Sequence, residues 1–261
     1  MTRILAVTNQ KGGVGKTTTS VNLAAGLAQS GMRVLLVDLD PQGNATMGSG
    51  VDKRTLKMSV YQVLLGLATA DSARVKSEAG GYDLIPANRE LAGAEVELVD
   101  LEHRESRLKG ALKAIAEEYD FILLDCPPTL NMLTVNALVA AHAVMIPMQC
   151  EYYALEGLSD LVGTIKKVRQ GLNPKLDIEG LLRTMYDPRN TLAQQVSAQL
   201  QEHFGDKVYA TVIPRNVRLA EAPSFGAPAI TLDRECKGSQ AYVELVGEIL
   251  SRNGLTAVAA P

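Results

Sequence analysis

The chain has 261 residues, 46% of them apolar and 21% charged, with a formal net charge of −3. That apolar content can fill a substantial core, and a single globular domain over 1–252 with a short frayed tail at 253–261 is the expected organisation. The small negative charge excludes a molecule-wide pull on nucleic acid or anionic lipid, so any such binding must come from a local patch.

Apolar, β-rich runs recur at 3–8, 33–38, 82–86, 121–125, 144–147, 178–185, 208–213 and 229–232, and stretches of helical period lie between most of them. The first, second and fourth of these runs (ILAV, LLV, FILL) carry no polar alternation, as expected of strands covered by helices on both faces. The pattern predicts an α/β, doubly wound, mostly parallel sheet. One amphipathic helix is clear from Leu158, Leu161, Val162, Ile165 and Val168, which share a face, while Lys166, Lys167 and Arg169 point away from it. No internal repeat or low-complexity tract interrupts the chain.

The first run leads into Gln10-Lys11-Gly12-Gly13-Val14-Gly15-Lys16-Thr17-Thr18, followed by a helical pattern through Ser20, Leu23, Ala24 and Leu27. A glycine-rich turn between a strand and a helix is the context of a P-loop. Gly12, Gly13 and Gly15 let backbone N–H groups turn inward around phosphate oxygens, and the helix N-terminus adds partial positive charge. Lys16 is placed to reach the β- and γ-phosphates and the Thr17 hydroxyl to hold Mg2+, which keeps most of its waters. The loop departs from GxxxxGK[ST]: Gln10 stands where the first glycine belongs, and an extra lysine, Lys11, follows it.

Two strand ends are acidic. Asp125 closes the run FILLD, where a carboxylate is costly unless it faces a cation or water, and where it can hold a metal-bound water. Asp38 and Asp40 close the second run, ahead of Pro41-Gln42-Gly43. One of them can orient or deprotonate the attacking water; Asp40 is preferred, with Asp38 structural or near the metal, and the plain alternative is that both cap the turn.

Loops with a second, early lysine mark the deviant P-loop ATPases, the family of ParA, MinD, nitrogenase iron proteins and arsenite-pump ATPases. The strings NQKGGVGKTTTSVNLA, VLLVDLDPQGNAT, LAGAEVELV, YDFILLDCPPTLNMLTVNAL, QCEYYALEGLSDL and VIPRNVRLAEAPSFGAP resemble the ParA/Soj branch over residues 3 to about 230. The likeness continues through the helical stretch 240–250. It implies ATP held by Lys11, Gly12, Gly13, Val14, Gly15, Lys16, Thr17 and Thr18, with Mg2+ at Thr17 and Asp125 acting through water. It implies water activation by Asp40, adenine recognition by the loop Ile213-Pro214-Arg215-Asn216, and a Lys11 that crosses to a partner subunit's nucleotide. It further implies an ATP-driven homodimer, non-specific duplex DNA binding through Arg189 and Arg218, both read as lying in turns, and hydrolysis stimulated by a ParB-type partner, by which the ATPase segregates chromosome or plasmid DNA.

A MinD-like membrane ATPase shares this nucleotide site but calls for a basic amphipathic C-terminal helix, whereas 247–261 carries Arg252 as its one basic residue. An iron-protein reductase calls for cluster-holding cysteines, but Cys126, Cys150 and Cys236 lie far apart with no CxxC pair and read as buried or incidental thiols. A scaffold that binds ATP without turnover is disfavoured by the presence of both Asp40 and Asp125. No apolar run approaches the roughly 20 residues that span a bilayer. The start MTRILAVTNQ lacks the features of a secretory signal, so a cytoplasmic, nucleoid-associated location is expected.

Overall fold

The computed structural model describes residues 2–256. Its strands are β1 (Arg3–Val7), β2 (Val34–Asp38), β3 (Val75–Ser77), β4 (Tyr82–Ile85), β5 (Phe121–Asp125), β6 (Ala143–Met148), β7 (Asp177–Tyr186) and β8 (Val208–Pro214). They form one sheet in the order β3-β4-β2-β5-β1-β6-β7-β8, parallel throughout except where β3 runs antiparallel to β4.

The lack of polar alternation has a direct cause. Ile4 and Ala6 of β1, Leu35 and Val37 of β2, and Ile122 and Leu124 of β5 enter one core. Their chain neighbours Leu5, Val7, Val34, Leu36, Phe121 and Leu123 enter a second core on the opposite face. The first is covered by helices that include Met132–Ala140, Ala154–Gly171 and Thr191–Phe204, the second by Lys16–Gln29 and Lys237–Arg252. The helix Ala154–Gly171 buries Leu158, Leu161, Ile165 and Val168 and exposes Lys166, Lys167 and Arg169, as its periodicity predicts.

Two departures from the expected elements are informative. The run at 229–232 is not a strand but the short helix Ala229–Leu232. Pro228 precedes it, the carbonyl of Pro228 accepts from the amides of Thr231 and Leu232, and the side-chain oxygen of Asn22 accepts from the Ile230 amide, so local bonds satisfy the backbone without a ladder. Conversely β3, three residues long with Lys76 at its centre, carries too little apolar pattern to be seen in sequence.

Both edges of the sheet are modified. At β8 the register against β7 shifts between Leu181 and Arg183. There the Ala210 and Thr211 amides donate to the two oxygens of Glu248 at 2.9 and 3.0 Å. Glu248 lies on the helix Lys237–Arg252 and also holds Arg252. After that helix the Leu255 amide donates to the Leu250 carbonyl at 2.8 Å with Gly254 at φ 66°, closing the helix end. Residues 257–261 of the expected tail lie outside the described residues.

Candidate functional site

The carboxyl ends of β1, β2 and β5 meet at one place, with Val7 opposite Asp125 and Asp38 opposite Asp125 in register. Ligands of open parallel sheets bind at such ends. The chain leaves β1 through Gly13 at φ 74° and Gly15 at φ 85°, the left-handed region that glycine occupies without strain. It then enters the helix Lys16–Gln29, whose N-terminus has no side-chain cap. Its first amides therefore have no intrahelical partner and are available to an anion. The space that a side chain would take at Gly12 or Gly13 is open.

Lys16 is only 7% exposed, and its Nζ donates to the Lys11 carbonyl at 3.1 Å. Burial lowers its pKa, opposed chiefly by the charge of Asp125 and further by that of Asp40. A buried ammonium under an uncapped helix end is an arrangement that a phosphate group completes. Thr17 Oγ1 donates to Asp125 Oδ2 and Ser20 Oγ to Asp125 Oδ1, each at 2.8 Å. Burial and then the facing charge of Asp38 push the Asp125 carboxyl up from the usual carboxylate range. Burial likewise raises Asp38, against the hydrogen bonds it accepts.

Those bonds separate the two acids of the β2 end. Asp38 Oδ2 accepts from the Thr46 amide at 2.8 Å and from the Thr46 hydroxyl at 2.7 Å, and Asp38 Oδ1 accepts from the Asp40 amide at 3.1 Å. Asp38 is therefore committed to shaping the loop. Asp40 is half-buried, and its Oδ1 accepts from the Gln42 amide at 2.9 Å while its Oδ2 takes no hydrogen bond from the described residues. Among the described residues no group of three or more His, Cys, Asp or Glu is arranged to hold a metal. Mg2+ in phosphate sites needs no such cage, since one or two protein groups, waters and substrate phosphates hold it, and the Thr17–Asp125 pair fits that donor set.

Beside the loop lies a cavity of about 220 Å3 whose walls include Gly15, Thr18, Met185, Pro214 and Asn216. Asn216 Oδ1 accepts from the amides of Arg218 and Leu219, so its carbonyl end caps the helix Val217–Glu221. Thr184 is a site residue that the sequence did not reveal. Its hydroxyl donates to the Val14 carbonyl at 2.8 Å and so ties β7 to the phosphate loop, but a threonine inside a strand run carries no signal of that duty. The Lys11 side chain is held outside the loop's own hydrogen bonds by an ion pair: its Nζ lies 2.5 Å from Glu151 Oε2, on the loop after β6. Cys126 is buried next to Asp125 and Cys150 is buried after β6.

A family model described as an AAA domain matches residues 2–178. The chromosome partitioning protein ParA of Caulobacter vibrioides is 54% identical over 252 residues, covering 96% of this chain and 94% of that protein. The sporulation initiation inhibitor protein Soj of Bacillus subtilis is 54% identical over 249 residues, covering 95% and 98%. The chain belongs to the ParA/Soj family of P-loop ATPases. Among solved structures, cobyrinic acid a,c-diamide synthase from Mycobacterium smegmatis, with an ATP analogue and magnesium bound, matches with a TM-score of 0.85 at 40% identity over 100% of both chains.

In this ParA/Soj-family chain the arginines expected at DNA follow neighbouring parallel strands. Tyr186 of β7 pairs with Pro214 of β8, which puts Arg189 and Arg218 after the carboxyl ends of the strands, the same end of the sheet as the phosphate loop. Arg189 lies in a turn, with its side chain 89% exposed, and pairs with Asp187, whose carboxyl it holds at about 2. Arg218 lies not in a turn but in the helix Val217–Glu221, because Asn216 caps that helix, and it pairs with Glu221 and Asp233 at 3.2 Å each. No described helix is long and apolar enough to cross a membrane.

Proposed function

We propose that this chain is a DNA-partitioning ATPase: ATP binding brings two copies face to face, the dimer binds duplex DNA without sequence preference, and hydrolysis stimulated by a ParB-type partner releases it. The observation that carries the reading is the uncapped helix N-terminus with Lys16 buried against it and Thr17 bonded to Asp125. Backbone amides of residues 12–18 wrap the phosphates, and Lys16 exchanges the Lys11 carbonyl for phosphate oxygens. Thr17 would hold Mg2+, with Asp125 acting through water. When bound, Mg2+ neutralises charge that develops on the transferred phosphoryl group. Asp40, with an oxygen free, aligns the attacking water, and the loop at Pro214 and Asn216 borders the base.

Lys11, held by its ion pair with Glu151, acts on the nucleotide of a facing copy. Arg189 and Arg218 contact backbone phosphates. Arg189 gives up one carboxylate partner and Arg218 two to do so, and because exposed ion pairs are weak and screened, the exchange is cheap but the net gain per contact is small. Two copies double the contacts, which makes binding depend on the ATP dimer and on salt. A cytoplasmic, nucleoid-associated location follows from DNA binding. Membrane attachment is not favoured by the helix Lys237–Arg252, whose apolar face is filled by packing of Tyr242, Leu245, Val246 and Ile249.

The test is the ATPase rate with and without duplex DNA and a ParB-type protein, alongside DNA titrations of wild type, Arg189→Glu and Arg218→Glu with a non-hydrolysable ATP analogue at several salt concentrations. Stimulated turnover, and DNA binding lost in both variants irrespective of duplex sequence, support the reading. A wild type that hydrolyses ATP but binds no DNA reduces it to a nucleotide switch, and one that binds ATP without turnover reduces it to a scaffold.

A further inference from the structure

We propose that Glu151 is an intrachain latch for Lys11, restraining the second lysine of the phosphate loop until a facing copy's nucleotide displaces the carboxylate. This rests on the reading above, in which Lys11 acts across a dimer interface. Lys11 is tied at three points. Its amide donates to Asn9 Oδ1 at 3.0 Å, its carbonyl accepts from Lys16 Nζ at 3.1 Å, and its ammonium meets Glu151 Oε2 at 2.5 Å. Asn9 in turn donates to the Pro147 carbonyl at 2.8 Å, so both partners of the ion pair are referred to the end of β6.

Glu151 is held by its backbone as well. Its amide donates to the Gln149 carbonyl and its carbonyl accepts from the Ala154 amide, each at 3.0 Å, in the turn that opens the helix Ala154–Gly171. Gln149 reaches Met185, which stands at φ 49° in the wall of the base cavity. The carboxylate is therefore mounted on a hydrogen-bonded turn.

An ammonium held at Glu151 must leave it to reach a phosphate on another molecule. Nucleotide in the chain's own cradle loosens one tie, because Lys16 Nζ leaves the Lys11 carbonyl for phosphate. The other tie remains until a facing phosphate, with more negative charge than one carboxylate, competes for Lys11. The side chains of Lys11 and Glu151 are 43% and 51% exposed, so the restraint is weak and salt-sensitive: it sets a threshold for dimerisation and does not block it.

Two measurements test this. With a non-hydrolysable ATP analogue, Glu151→Gln is expected to tighten dimerisation roughly two- to fivefold in sedimentation equilibrium, the range of an exposed ion pair. The gain is expected to shrink at high salt and to vanish in a Lys11→Ala background. In the nucleotide-free monomer, amine-reactive labelling of Lys11 followed by mass spectrometry is expected to be faster in Glu151→Gln, because an ammonium held by a carboxylate reacts slowly. Unchanged labelling, or unchanged or weaker dimerisation in Glu151→Gln, overturns the latch alone. A wild type that stays monomeric with the analogue overturns the dimer reading and the latch with it.

Discussion

Truncating Lys16 to alanine separates folding from nucleotide binding, because the ammonium does different work in the two states. In the empty protein its one acceptor is the Lys11 carbonyl at 3.1 Å, on the rim of a cradle that is open at Gly12 and Gly13. Water can take over that carbonyl, and the truncation removes a charge that burial already disfavours. The nucleotide-free variant is therefore expected to lose no more than about 1 kcal/mol, a fall in Tm of roughly 2–4 °C for a chain of this size. With ATP the ammonium faces β- and γ-phosphate oxygens, and a hydrogen bond to a charged group is worth about 1.5–3 kcal/mol. Two such bonds amount to about 3–6 kcal/mol, or roughly 10²- to 10⁴-fold in Kd. Titration with a fluorescent ATP analogue measures the affinity, and a thermal scan with and without ATP measures the linkage. The nucleotide-induced rise in Tm is expected to disappear while the baseline Tm stays close to wild type. An analogue Kd within about threefold of wild type would refute this placement of the phosphates.

Asp40→Ala is expected to retain ATP binding and accumulate an ATP-bound dimer while turnover stops; normal turnover would move water activation to Asp38. Thr184→Val keeps the shape but strands the Val14 carbonyl, so nucleotide affinity is expected to fall several-fold with a loss of about 1–2 kcal/mol in urea unfolding, and wild-type values for both would remove Thr184 from the site. In Gly26→Ala the new Cβ meets Val246 Cγ2 at 2.6 Å and Ile230 Cδ1 at 3.2 Å. Overpacking of about 1–3 kcal/mol should outweigh the gain in helix propensity of about 1 kcal/mol, and an unchanged or raised urea midpoint would contradict this. Glu248 is partly desolvated, which raises its carboxyl, but the amides of Thr211 and Ala210 and the Arg252 guanidinium outweigh this and hold it below the usual range. Its contribution is present above the unfolded-state pKa and is lost as pH falls through the lower folded-state value. Glu248→Gln is thus expected to cost about 1–3 kcal/mol at pH 7 and progressively less as pH falls below the usual carboxylate range, and a pH-independent difference between urea curves would refute it.

What the sequence disclosed depended on how many residues share a signal. The strands through Leu35, Leu123 and Ile146 are legible because residues on both faces are buried, leaving unbroken apolar runs. The phosphate loop is legible because glycine spacing and Lys16 express backbone requirements directly. The short helix Ala229–Leu232 reads as a strand because Ile230 and Thr231 favour β structure, and the Asn22 contact that decides otherwise is distant in sequence. Glu151 and Thr184 carry no local signal at all, since their partners Lys11 and Val14 lie on other elements. Arg189 and Arg218 stand out in the sequence only through the family resemblance, and their ion pairs with Asp187 and Asp233 are seen only in three dimensions.

The treatment of the sheet margins bears on how copies of this chain can meet. On one margin β3 offers only three residues of backbone. On the other the Glu248 carboxylate covers two successive amides of β8 at the point where its register slips. An incoming strand finds a stub on one side and a negative charge where it needs a donor on the other, which disfavours joining two sheets into one. Growth into filaments by strand addition is thereby discouraged, which agrees with the proposed meeting of two copies through the loops around the phosphate cradle, where an encounter would be conditional on what the cradle holds.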